Sequence, residues 1–231
     1  MKIAVLGDVH GNHLALEAVL SSAVRQNVDR LLVTGDLVGY YPFVREVLEL
    51  LDPWDRQVVK GNHEVMLQHA LLDLAYLERI TKKYGSSIKI AIETLTKKQL
   101  DELVNMPKVI ELELNDMLIT LCHGSPVDVD EYIYPDSDLS KLSWLNDIES
   151  QLIFCGHTHY PMLLEWNGKE ILNPGSVGQS RNGVAKAHWV LFDTEEKTFN
   201  FMVEDYDFIT ILNAVRAIDP TNLYLQKVLT R

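Results

Sequence analysis

Aspartate, asparagine and neutral histidine supply the oxygen and nitrogen donors that hold Mn, Fe, Zn, Co or Ni. A chain that gathers several of them can activate water for hydrolysis. Here they fall in five short segments: Asp8-Val9-His10, Gly35-Asp36, Gly61-Asn62-His63-Glu64, His123-Gly124 and Gly156-His157-Thr158-His159. Five of the eight histidines lie in these segments, so the pattern carries more than any single histidine would. The expectation is a ligand set for two metal ions and a hydrolytic enzyme built around it.

Each segment follows an apolar run: Ile3–Leu6, Leu31–Val33, Val58–Val59, Leu118–Leu121 and Leu152–Phe154. Strands ending on one edge of a sheet bring remote side chains to one place, and the flanking glycines let the backbone turn sharply there. The first third alternates strand and helix. Lys2–Gly7 leads to a helix over about 12–26, with Leu16, Val19, Leu20, Ala23 and Val24 spaced for one buried face. A strand near Arg30–Thr34 precedes a helix marked by Val44, Val47, Leu48 and Leu51 and stopped near Pro53. A third strand follows near Gln57–Lys60. This β-α-β-α-β order implies parallel strands with right-handed crossovers.

Residues from about 64 to 105 read as helices only. Leu67, Ala70, Leu71, Leu74 and Ala75 share one face, Gly85 divides two helices, and Thr96 caps a short one ending before Pro107. This block is either an inserted cap at the site mouth or a plain connecting layer. The second half is richer in strands: Val109–Leu114, Met117–Cys122, Leu152–Cys155, Met162–Trp166, Lys169–Leu172, Ala187–Asp193 and Thr198–Glu204, with hairpin signals at Asn115-Asp116 and Asn167-Gly168. Phe208–Val228 returns to helix, with Phe208, Ile211, Leu212 and Val215 on one face and Pro220 opening a final helix. One domain over residues 1–231 is expected.

Composition narrows the partners. Of 231 residues, 47% are hydrophobic and 23% charged, ordinary for a globular chain. With 21 Lys and Arg against 33 Asp and Glu, the formal charge is −12, which argues against an extended nucleic-acid surface or an anionic membrane. A small phosphorylated substrate remains compatible, because bound cations reverse the local field. Two cysteines, Cys122 and Cys155, make no disulfide framework and read as buried thiols at strand ends. No apolar run approaches a membrane span, and the expected location is cytoplasmic. The apolar face of the C-terminal helices docks either on the domain itself or on another subunit.

In order and spacing, Asp8-x-His10, Gly35-Asp36, Gly61-Asn62-His63-Glu64, His123 and Gly156-His157-x-His159 resemble the calcineurin-like metallophosphoesterases over roughly residues 1–205. Asn173-Pro174-Gly175-Ser176-Val177-Gly178 with Arg181 further resembles their compact bacterial and archaeal phosphodiesterase branch. The resemblance implies an α/β protein, a four-layer α/β/β/α sandwich, with two metals, Mn or Fe foremost, at the strand ends. It implies that Asp8, His10, Asp36 and His159 hold one ion, that Asp36, Asn62, His123 and His157 hold the other, and that Asp36 bridges them. It also implies in-line attack on phosphorus by a shared hydroxide.

His63 is the candidate general acid, since imidazole titrates near neutral pH and can protonate a leaving alkoxide. Asn12, after His10-Gly11, serves as a helix cap, a donor to phosphate, or both. Asn62 and Arg181 are the other candidate substrate contacts. The protein phosphatases of this superfamily follow the bridging Asp with an Asp-Arg pair, where this chain has Gly39 and Tyr40. That departure favours phosphodiesters, or nucleotide phosphoanhydrides such as ATP and dinucleoside polyphosphates, over phosphoproteins and simple monoesters. The loop tyrosines Tyr40, Tyr41, Tyr132 and Tyr134 offer stacking surfaces for a base. His13 lies near enough to touch substrate, while His69 and His188 read as structural. A catalytically silent scaffold, as in the retromer coat subunit that resembles these enzymes, would show a degraded ligand set.

Overall fold

The strands that carry the site owe their burial to sequence. Lys2–Leu6 (β1) is nearly all aliphatic and buried beyond its first residue, as a strand packed on both faces must be. In the computed structural model, which describes residues 1–181 and 185–230, β1 lies at the centre of a five-stranded sheet. Arg30–Val33 (β2) pairs with it in parallel, and Arg56–Val58 (β3) pairs with β2 in parallel. On its other side Ala187–Asp193 (β9) and Thr198–Glu204 (β10) run antiparallel, giving the order β10-β9-β1-β2-β3.

A second five-stranded sheet has the order β4-β5-β6-β8-β7, from Ile110–Leu114 (β4), Met117–Leu121 (β5), Leu152–Phe154 (β6), Met162–Trp166 (β7) and Lys169–Asn173 (β8). Asn115, Asp116, Asn167 and Gly168 all have positive φ, the backbone of the tight hairpin turns their identities predict. The two sheets face each other across an apolar layer that includes Ile3, Val5, Leu32, Ile119, Phe154 and Phe192.

Helices His13–Arg25 (α1) and Val44–Leu51 (α2) cover the outer face of the first sheet. Leu16, Val19, Leu20 and Ala23 are buried as expected, but Val24 is 64% exposed, because the buried stripe is narrower than the periodicity suggests. Over the outer face of the second sheet the cover is irregular: Ile133, Leu139, Trp144 and Leu145 pack there from a loop with two short 3-10 turns. The molecule is thus a mixed α/β sandwich of two sheets flanked by helices, with a thinner outer layer on the second sheet.

Four helices fill the stretch after β3: Asn62–Ala70 (α3), Leu74–Tyr84 (α4), Ser87–Thr94 (α5) and Lys97–Val104 (α6). The single face expected through Leu67 to Ala75 does not form. Leu67 and Ala70 are buried, but the chain turns after α3 and Asp73 caps a new helix, leaving Leu74 78% exposed. Gly85 separates α4 from α5, and Thr96 with Gln99 makes a reciprocal cap on α6. At the C-terminus Phe208–Ile218 (α7) and Leu223–Val228 (α8) pack on Tyr40 and Tyr41. Asn222, not Pro220, caps α8; its side chain accepts from the Leu225 N–H. Among the described residues no helix is long and apolar enough to cross a membrane.

Candidate metal centre

The site assembles where β1, β2, β5 and β6 run out, and its backbone is unusual. Asp8, His10, Asp36, His157 and His159 all have φ between 53° and 67°. Side-chain-bearing residues in that left-handed region cost roughly 1–2 kcal/mol each, so five together need strong support from their surroundings. The support is visible in backbone hydrogen bonds: His10 N donates to Asp36 O at 2.8 Å, Asp8 N to Gly35 O at 3.2 Å, and Gly156 N to His123 O at 2.7 Å. The strand-end loops are laced to one another rather than to solvent.

Donor atoms converge at the centre. Asp36 Oδ1 accepts the His63 N–H at 2.8 Å, which turns Oδ2 inward, 3.7 Å from His10 Nε2 and 3.4 Å from His123 Nε2. Asp8 Oδ1 lies 3.3 Å from His159 Nε2. His10 Nε2 and His159 Nε2 are 3.1 Å apart; His123 Nε2 is 3.1 Å from Asn62 Oδ1 and 3.2 Å from His157 Nδ1. Ligands about 2.1 Å from one ion stand roughly 3.0 Å apart in an octahedral shell and about 3.4 Å apart in a tetrahedral one. The spacing fits a cluster able to hold metal ions, with Asp36 Oδ2 between His10 and His123.

The tautomers fit as well. His10 Nδ1–H donates to Val38 O at 3.0 Å, His123 Nδ1–H to Thr34 O at 2.7 Å, and His159 Nδ1–H to Gln179 O at 2.6 Å. A carbonyl only accepts, so each of these rings carries a proton on Nδ1 and can offer Nε2 to a cation when that nitrogen is unprotonated. Two such Nε2 lone pairs, on His10 and His159, then face one another at 3.1 Å. A cation between them converts that repulsion into ligation.

The electrostatics follow from burial and mutual proximity. Burial pushes the Asp36 carboxyl up, but His123, His63 and His10 around it bring it well below the usual carboxylate range. Asp8 is lowered in the same way, its burial outweighed by His159 and His123. Burial holds His10 well below the ordinary imidazole range and brings His157, with help from His123, down to about 4. His123 goes the other way: burial lowers it, yet Asp36 and Asp8 beside it raise it to about 10.

His63 stands apart from the ligand rings. It lies within ligand distance of His10 and Asp36, but its Nδ1 is buried with no hydrogen-bond partner among the described residues, none of whose carbonyls fixes its tautomer. The reason is Gly39, whose φ is +99° and where a Cβ would fall 2.1 Å from His63 Nδ1. Tyr40 packs its ring 4.8 Å from His63 and 4.5 Å from His10, and Tyr84 of α4 approaches His63 at 5.4 Å. Burial keeps His63 below its ordinary value, with Asp36 pulling the opposite way.

The remaining candidates are placed as follows. Asn12 is fully buried; its Oδ1 accepts from Ala15 N, and its Nδ2 donates to Gly178 O and Tyr206 Oη. Its polar atoms therefore cap α1 and pin the Gly178 loop, and none is left over for a phosphate in this arrangement. Arg181 is half-buried with an Nε that has no partner among the described residues. Burial works against its charge, but Tyr224, Tyr40, Asp8 and Tyr132 more than offset it. Tyr41 is fully buried and offers no stacking face, whereas Tyr132 and Tyr134 stack on each other at 5.9 Å and Tyr132 covers the His157 ring at 4.1 Å. His13 rests on Phe43, and His69 packs near Tyr76 on the helical block.

Glu64 has a role that sequence reading left unassigned. Its carboxylate accepts from Asp36 N, Val38 N and Gly61 N at 2.8–3.0 Å, tying the bridging aspartate's loop to the Asn62 turn. Burial pushes it up to about 7, while the Val38 and Gly61 N–H donors favour its ionised form. The sequence signal was available: an acid three residues after a helix-capping glycine. Gly61 itself is required by the same crowding, since a Cβ there would fall 2.1 Å from Asp36 Oδ1.

The pattern of the calcineurin-like phosphoesterase superfamily domain matches residues 1–197. The chain belongs to this superfamily. An uncharacterised protein of Methanocaldococcus jannaschii is 28% identical over 224 residues, covering 89% of this chain and 88% of that one. Among solved structures, a metallophosphoesterase from Sphaerobacter thermophilus superposes with a TM-score of 0.79 at 27% identity, covering 99% of this chain and 98% of that one. A hypothetical protein of Pyrococcus horikoshii OT3 superposes at 0.87 with 23% identity, covering 100% of this chain and 98% of that one, and shares the fold. As a metallophosphoesterase, this chain brings the superfamily's Asp and His residues into a cluster able to hold metal ions.

Proposed function

We propose that this metallophosphoesterase is a di-metal hydrolase of phosphodiesters and nucleotide phosphoanhydrides, including ATP and dinucleoside polyphosphates. One observation carries the reading: Asp36 Oδ2 stands within 3.7 Å of His10 Nε2 and 3.4 Å of His123 Nε2, so one carboxylate oxygen serves two donor groups. Asp8, His10, Asp36 and His159 would hold one ion, and Asp36, Asn62, His123 and His157 the other, with Mn and Fe foremost for this mixed donor set. When bound, the pair supplies Lewis acidity toward phosphate oxygens and an activated water near neutral pH.

The chain's own residues do the rest. Asp36 is held by the His63 N–H, so its position cannot drift as substrate enters. His63 faces the leaving group as general acid; a phosphate anion arriving beside it favours the protonated imidazole against the burial that opposes it. Of the four buried side-chain polar atoms without partners among the described residues, His63 Nδ1 and His157 Nε2 belong to the centre and support a polar ligand there. Arg181 would meet a second phosphate, and the exposed Tyr132 and Tyr134 a base. Gly39 and Tyr40 supply neither a carboxylate behind His63 nor an arginine for a phosphate dianion, which ranks phosphomonoesters and phosphoproteins below. Free, buried Cys122 and Cys155 are compatible with a reducing cytoplasm.

The test is an assay of Mn²⁺-loaded protein on an aryl phosphodiester and its matching monoester, followed by ATP and diadenosine tetraphosphate. Diester or anhydride turnover exceeding monoester turnover is expected. His63→Ala should keep its metal content and lose about 10²–10⁴-fold on alkyl leaving groups, with a smaller loss on nitrophenyl esters that need no proton. No turnover of any substrate would sink the proposal in favour of a scaffold, and fast monoester turnover alone would reverse the substrate ranking.

A further inference from the structure

The two sheets have four edges, and they are not alike. β3 is three residues long. β4 carries Glu111 and Glu113, which a self-paired strand centred on Leu112 would oppose, and β7 is five residues long with Glu165 next to its end. β10 is the longest of the four edges. It runs seven residues, Thr198 to Glu204, with no proline, no lysine and no charge before its last residue. Only β9 pairs with it among the described residues. Phe201 and Val203 are 42% and 49% exposed on the face where Phe199 stacks on Phe192. Long, flat, apolar edges are templates for another strand.

The occupant is written into the strand. A two-fold axis normal to the sheet keeps side chains on their own face, so a strand paired with its copy must place some residue opposite itself. Centred on Phe201, Phe199 faces Val203, Thr198 faces Glu204 and Asn200 faces Met202. One residue further out, beyond the strand ends, Lys197 of the β9–β10 turn comes opposite Asp205. Both are exposed. Asp205 already pairs with Lys186 at 3.0 Å, yet its side chain remains 86% exposed, leaving room for a second cation. Moving the axis to Asn200 sets Asp205 against Glu195; moving it to Met202 sets Phe199 against Asp205. From Lys197 to Asp205, the Phe201 register alone of these three sets no apolar residue against a charge and no acid against an acid.

We propose that β10 pairs antiparallel with β10 of a second copy about Phe201, joining the two first sheets into one ten-stranded sheet held by a Phe199–Val203 and a Lys197–Asp205 contact on each side of the axis. Sedimentation velocity on the full chain over a concentration series reads the assembly, with melting curves to verify folding. The wild type forms a dimer. Phe201→Lys places two ammonium groups face to face and gives a folded monomer; Val203→Lys, which sets an ammonium against the apolar Phe199 of the copy, also gives a monomer should the first variant fail to fold. Lys197→Glu weakens the dimer by up to about fivefold per pair, in both pairs. Adding Asp205→Lys to it restores association. A wild type monomeric at every concentration overturns the proposal. So does a dimer that survives both lysine variants, and a charge-reversed double variant no better than Lys197→Glu alone overturns the register.

Discussion

The two halves of the metal centre are built differently. On the side of Asp8, His10 and His159, every donor is fixed before any ion arrives: both rings are locked by backbone carbonyls, and both Asp8 oxygens accept the His157 N–H at 3.1–3.2 Å. On the side of Asn62, His123 and His157, only His123 is locked by a carbonyl. The His157 Nε2 has no partner among the described residues, and its ring is covered by Tyr132, an exposed residue of the loop after β5. Asn62 is 8% exposed where Asp8 and His10 are fully buried. Preorganised donors cost less to bring to a cation, and supporting hydrogen bonds of this kind are worth about 10–100-fold in metal affinity. Under the proposed two-ion assignment, the first half would be a finished socket and the second would be completed by its ion.

The comparison breaks most visibly at the atom the halves share. Asp36→Asn replaces the charged Oδ2 between His10 and His123 by a neutral group, and its effect is expected on both halves at once. Metal analysis of the purified variant should show both ions depleted, and diester turnover should fall by 10²–10³-fold or more, about the cost of removing a central stabilising group. A variant that keeps one full equivalent would place Asp36 in one half only.

A smaller effect separates the halves. Titration with a chelator should remove the two ions in sequence, the one beside Asn62 and His157 first, with affinities about 10–100-fold apart. His157→Ala should abolish the weaker step alone, and His159→Ala should disturb the tighter one. Simultaneous loss in a single step, with both variants equivalent, would show that backbone locking does not set the order.

Much of this was legible in the chain because the ligands sit beside glycines after aliphatic runs, and because β1, α1, both hairpins and all ten strands follow local pattern. The break between Leu71 and Asp73 was not legible: apolar spacing continued through Leu74, and only Asp73, as a cap, marked the new helix. Nor could sequence show that five strand-end residues adopt left-handed φ, or that Val38, Thr34 and Gln179 carbonyls choose the tautomers. Those are tertiary facts, made by loops far apart in sequence. Asn12 shows the limit from the other side. Its position after His10-Gly11 suits both a cap and a phosphate donor, and the competition was decided by Gly178 and Tyr206, which arrive from the distant C-terminal third.

The finest test of the difference is a count of protons. In the metal-free protein the raised His123, at about 10, is protonated at pH 7, its Nε2–H lying among Asp36 Oδ2, Asn62 Oδ1 and His157 Nδ1. His10, held well below the ordinary range by burial, is neutral there, and the lowered Asp8 and Asp36 are ionised. Because the folded value of His123 lies above the ordinary 6.5, its contribution to the metal-free fold is complete below about 6.5 and is lost as pH rises toward 10. An ion entering the second half must displace that proton; an ion entering the first half displaces none from His10. Calorimetric Mn²⁺ titrations at pH 7 in buffers of different ionisation enthalpy should therefore give more proton release for the weaker site than for the tighter. Equal release from both sites would mean that the halves share their protons as they share Asp36, and the contrast between a finished and an unfinished socket would fail.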